Sequence, residues 1–168
     1  MSGPWLRVTV LVFGALVVHE AILRGLRIDG IRPDFMLCVA VVAGLVAGPV
    51  RGAVIAFLCG IAADLFLPTP FGLSALVWCL LAYTIGSMQD SVLPHNRASL
   101  PIIALVASAV GVVLFAFAGA VLGQPGMVTP HLLVIVAVIA LVNSLFSVPI
   151  AWAVRWATRS GETERAYT

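Results

Sequence analysis

A chain of 168 residues is long enough for one domain. Hydrophobic residues make up 62% of it and charged residues 10%, with a net charge of +2 and a mean hydropathy of +1.15. Soluble domains hold about 45–50% apolar and about 25% charged residues, and a small one needs that charge to cover its surface. The composition therefore specifies an integral membrane protein. It excludes most soluble enzyme folds, intrinsic disorder and a secreted disulfide scaffold. The nine cations are all arginine and are scattered, which is not the dense basic stripe of a nucleic-acid surface. Cys38, Cys59 and Cys79 lie inside apolar runs without metal-ligand spacing, and read as small core residues.

A helix needs about 20 mostly apolar residues to cross a bilayer. The first span runs from Trp5 to Leu23. It closes on His19-Glu20-Ala21 rather than on a small-x-small cleavage site, so it reads as a retained helix. Glu20 and Arg24, four apart, are placed to pair locally. Arg24 to Asp34 is a charged loop with Gly25, Gly30 and Pro33. Pro33 suits a first helical turn, and Asp34 suits the positive end of the helix that follows.

Span 2 (33–48) and span 3 (50–67) are joined by the tight turn Gly48-Pro49-Val50-Arg51-Gly52. About 16 residues rise only about 24 Å, so span 2 stands upright or stops short of one interface. A re-entrant pair is the alternative. Span 4 covers 71–93. From Ala98 to Val154 the only ionisable side chain is His131, and Gly123 to Pro130 divides that stretch into span 5 (100–122) and span 6 (131–152). The expectation is an all-α membrane protein: one six-helix transmembrane domain over 1–156 and a short polar cytoplasmic tail over 157–168.

Arginine counts set the orientation. Arg7, Arg51, Arg97, Arg155, Arg159 and Arg165 fall on one side, against Arg24, Arg27 and Arg32 on the other. Both termini are predicted to be cytoplasmic in a multi-pass protein of the bacterial cytoplasmic membrane. Trp5, Trp152 and Trp156 lie at predicted interfaces on the arginine-rich side.

Helices in lipid associate through small residues. Gly52, Ala56, Gly60 and Asp64 are spaced by four and share one face of span 3. Span 4 repeats the pattern with Ser74, Trp78, Ala82 and Gly86. Span 5 does so with Ala107, Gly111, Phe115, Gly119 and Gly123. Asp64 is the clearest acid inside a span, and such an acid is expensive unless it is paired or near water. Three roles are open to it: capping the loop Pro68–Gly72 or pairing with Arg24, Arg27 or Arg32; contacting a partner; or proton and ligand chemistry. Asn143, Ser144 and Ser147 precede Pro149 and can bond neighbouring helices or the kink.

Catalytic and cofactor motifs are missing. His19, His95 and His131 lie on distant segments. There is no nucleophile triad, phosphate loop or paired carboxylate set. Neither enzyme activity, a cofactor nor a metal is expected. The loops 68–72 and 124–130 offer little for a binding pocket.

The order of several motifs is nonetheless specific. Arg32-Pro33-Asp34 opens a span, and the turn with Pro49 and Arg51 follows. Next come Gly60-x-x-x-Asp64-Leu65, Gly72-Leu-x-Ala-Leu76 and Tyr83, and later Asn143 before Pro149. This series resembles MreD, the rod shape-determining membrane protein family, most clearly from Arg32 to Gly86. The resemblance implies a non-enzymatic scaffold of the cell-elongation complex (the elongasome) in peptidoglycan synthesis. It implies direct binding to MreC, in a complex with MreB, RodA and a class B penicillin-binding transpeptidase. It implies six helices in a fold similar to the S component of energy-coupling factor transporters. It gives Arg32, Pro33, Asp34, Gly60, Asp64, Gly72 and Asn143 structural or interface roles. The first loop is more basic than the family suggests, and the tail is short. A small-molecule-binding S component is the rival reading. Against it, Ala15 is followed four residues on by His19, where the S-component docking patch has a second alanine.

Overall fold

Helix α2 (Phe35–Ala47) is so uniformly apolar that it has almost no polar face, and ten consecutive residues from Met36 to Leu45 are buried. A helix that is apolar all round belongs at the centre of a bundle. The computed structural model, which describes residues 3–23, 33–88, 99–124, 129 and 131–158, places it there. The described residues form six helices and no strand. Around α2 stand α1 (Gly3–Val18), α3 (Pro49–Asp64), α4 (Leu73–Ser87), α5 (Leu100–Val121) and α6 (Leu132–Thr158). A wider π-helical turn, His19–Leu23, extends α1. Helix α2 packs on α3, α4 and α6 most extensively, and on α5 and α1 less so.

The turn between α2 and α3 follows from two residues. Gly48 adopts φ 82°, a left-handed value that disfavours side chains, and Pro49 opens α3, where a missing N–H costs nothing. Helix α3 ends at Asp64, three residues before the predicted end of its span. Helix α4 begins at Leu73 and ends at Ser87, within the predicted 71–93. The last helix outruns its predicted limit of 152 by six residues and reaches Thr158. Arg155 lies in its last turn, where a cation suits the negative end of the helix. Pro149 sits inside this helix without ending it.

The small-residue stripes face inward. A Cβ on Gly52 would stand 2.7 Å from Gly44 Cα, one on Gly44 would stand 2.7 Å from the Ala82 carbonyl oxygen, and one on Gly86 would stand 2.6 Å from Pro49. One on Gly60 would overlap the Ala75 backbone. Three helix backbones therefore meet without intervening side chains. Gly60 is closed against α4 and offers no free face to another protein.

The outer faces are apolar instead. Leu6, Val10, Phe13 and Val17 are exposed along α1; Ile102, Val106, Val110 and Phe117 along α5; Leu141, Leu145, Val148 and Trp152 along α6. Helices α5 and α6 are long and apolar enough to cross a membrane by themselves, while α2 and α4 are apolar but shorter. At the end of the bundle where α1 starts and α6 finishes, the Arg7 guanidinium lies 5.4 Å from the centre of a Trp156 ring.

Gly60→Ala should lower stability by about 1–3 kcal/mol, because the new methyl pushes α3 from α4. Gly14→Ala, with open space around its Cβ, should be neutral or gain up to about 1 kcal/mol in helix propensity. Thermal unfolding of the detergent-solubilised protein checks the pair. Equal midpoints for the two variants would contradict the close α3–α4 approach.

Candidate functional site: the capped end of the bundle

The remaining polar groups concentrate where α3 ends and α4 begins. A helix start leaves unpaired backbone N–H groups and a partial positive charge. Helix α4 has no side-chain cap of its own, since its capping position is Gly72. Asp64 supplies the cap from the preceding helix. Its Oδ2 accepts the Gly72 N–H at 2.8 Å and the Ala75 N–H at 3.4 Å, and its Oδ1 accepts the Ser74 N–H at 3.2 Å. The carboxylate is 4% exposed. Of the roles open to it in the sequence, capping across the 65–72 loop is the one the geometry displays. Arg24, Arg27 and Arg32 lie outside the described residues. Gly72 has φ 94° and open space around its Cβ, so backbone conformation rather than crowding calls for glycine.

Asp34 does the same for α2 within its own turn: its Oδ1 accepts the Leu37 N–H at 3.0 Å. Pro33, expected in the first helical turn, instead precedes this cap and is buried. Asn143 lies elsewhere, half-way along α6. It is 1% exposed, its Nδ2 donates to Ser108 Oγ at 3.1 Å, and its backbone carbonyl accepts the Cys38 thiol at 3.2 Å. It thereby joins α6, α5 and α2. Ser144 Oγ donates to the Pro101 carbonyl at 2.9 Å, a second tie between α6 and α5. Ser147 Oγ bonds back to Ser144 within its own helix. Phe35 meets Phe146 edge-to-face, with centroids 6.0 Å apart.

Between the two capped helix starts lies a cavity of about 340 Å³. His19 and Glu20 reach it from the π-helical turn, Asp34 from the α2 cap, Ser74 from α4, and Thr129 from the segment before α6. Leu37, Phe66, Trp78, Phe115 and Ile139 give it apolar walls. Sequence reasoning looked for convergent polar groups in the loops 68–72 and 124–130. Most of them come instead from the ends of α1, α2 and α4, which only the fold brings together. Among the described residues no group of three or more His, Cys, Asp or Glu is arranged to hold a metal ion.

An all-helical chain with apolar outer faces, two helices able to cross a bilayer, and polar side chains that mainly tie helix to helix has the character of a membrane-associated bundle. A family model described as rod shape-determining protein MreD matches residues 1–147, and the chain belongs to that family. Membership gives it a role in determining rod shape. No curated protein and no solved structure matches it; the likeness to S components rests on the family resemblance alone.

Asp64→Leu should cost about 2–4 kcal/mol, because it orphans three N–H groups at a buried helix start. Asp64→Asn keeps one acceptor oxygen and should lose less. Thermal unfolding of both variants measures this. An unchanged midpoint for Asp64→Leu would remove the cap from the account.

Proposed function

We propose that this chain is a six-span scaffold of the bacterial cytoplasmic membrane with both termini cytoplasmic. It binds MreC directly and holds RodA and a class B penicillin-binding transpeptidase in one complex with MreB, without catalysis of its own. The observation that carries the reading is the family match over residues 1–147. Two features support it. The capping carboxylates and Asn143 are engaged inside the bundle, so the described polar groups largely hold helices together. The Arg7 guanidinium lies against Trp156, so the start of α1 and the end of α6 meet at one end of the bundle, which supports the orientation that the arginine count suggests.

In this reading Pro33, Asp34, Gly60, Asp64, Gly72 and Asn143 support the shape that MreC recognises, and Arg32 is a candidate contact. MreC docks on the apolar outer faces, because the small-residue stripes are already closed within the chain. The rival uptake reading draws on the cavity. It is weakened at Ala15, which is buried and has His19 four residues on in place of a second alanine.

Depletion of the protein in its own cells, with microscopy and affinity purification, tests the proposal. Rods should become round, and tagged protein should recover MreC. Cells that keep their shape but lose uptake of a vitamin-like solute would overturn it.

A further inference from the structure

The cavity at the capped end is lined in part by polar atoms that the fold leaves unsatisfied. Ser74 is fully buried, yet its Oγ has no hydrogen-bond partner. The reason is local. Ser74 stands at the second position of α4, before the helix supplies a carbonyl four residues back, and its N–H is held by Asp64. Elsewhere Thr9, Thr84, Ser87, Ser147 and Thr158 each donate to a backbone carbonyl in their own helix. His19 adds a second unengaged atom, Nδ1, which is buried although the residue as a whole is half-exposed. The π-helical turn that carries His19 is a rare geometry, found often at functional sites.

We propose that this cavity binds a small amphipathic molecule. Its hydrogen-bonding end, neutral or cationic, meets Ser74 Oγ and His19 Nδ1, and its apolar body lies against Trp78, Phe115 and Ile139. The volume falls in the range of ligand pockets, about 300–1,000 Å³. Its walls are mostly apolar, with a few polar groups that fix orientation, as such pockets require. The charge of the end follows from the lining. Asp34 brings a carboxylate to the described lining, beside Ser74 Oγ and His19 Nδ1, so an end that donates hydrogen bonds suits it better than a phosphate or carboxylate. A membrane lipid with a neutral hydroxyl head and a soluble amine share this hydrogen-bonding chemistry. The site is independent of the scaffold proposal, because it concerns what fills the bundle and not what docks on it.

Trp78 is 2% exposed and forms part of the wall, so it can report occupancy. The full chain, with Trp5, Trp152 and Trp156 replaced by Phe, is reconstituted in nanodiscs and checked for fold by circular dichroism. Two probes are used: 4-bromophenethylamine added from solution, and diacylglycerol with brominated acyl chains in the disc, whose head is a free hydroxyl without a phosphate. Saturable quenching of Trp78 by the amine supports the proposal with a soluble ligand. Quenching by the brominated lipid that the cavity-filling Ala116→Phe variant relieves supports it with a lipid. Ser74→Ala removes an unsatisfied hydroxyl and nearly keeps the volume, so it should leave the unfolding midpoint without probe equal or higher while weakening amine binding about three- to ten-fold, the worth of one hydrogen bond. Quenching that rises linearly with amine, lipid quenching that Ala116→Phe does not alter, or no quenching by either probe in the folded protein would overturn the proposal.

Discussion

The carboxylate of Asp64 at the first turn of α4 is the interaction on which this bundle depends. A charged group inside an apolar bundle is tolerated only where its hydrogen bonds are met. Here three backbone N–H groups and the positive end of a helix meet them. One contact answers two problems at once: the acid is stabilised, and α4 gains the cap its own sequence lacks. It also fixes the 65–72 loop, and hence the angle at which α4 returns along α3. That return lets Gly60 lie against Ala75, and it turns Ser74 and Trp78 toward the cavity.

From this anchor the packing follows. Helix α2 has no polar face to show to anything, so it must be enclosed. Enclosure at close range needs glycine where backbones cross, and Gly44, Gly52 and Gly86 meet that need. Once those stripes are closed, the large apolar side chains are left outside, where lipid tails solvate them as well as protein would. Polar ties such as Asn143 to Ser108 then set register where apolar packing alone is indifferent.

Much of this was legible in the sequence. Periodicity of four put Gly52, Ala56, Gly60 and Asp64 on one face, and an acid beside a Pro- and Gly-rich loop pointed to capping. Asn143 ahead of Pro149 pointed to interhelical bonding. Helix ends were read less well. Apolar residues 65–67 look helical by hydropathy, but Asp64 has turned to serve the next helix, and the helix stops there. The cavity was not legible at all. Its polar atoms come from residues 19, 34 and 74, which no local pattern links, and the π-helical turn that presents His19 carries no sequence signal. A serine at the second position of a helix without its own cap is a weak clue that sequence alone supplies.

Hydrogen exchange at single amides in lipid nanodiscs tests the anchor most directly. With Asp64 seated as described, the amides of Gly72, Ser74 and Ala75 exchange slowly, in step with the interior of α4 and far behind the loop amide of Thr69. Exchange of those three amides at the rate of an open loop would show that the carboxylate does not hold the helix start.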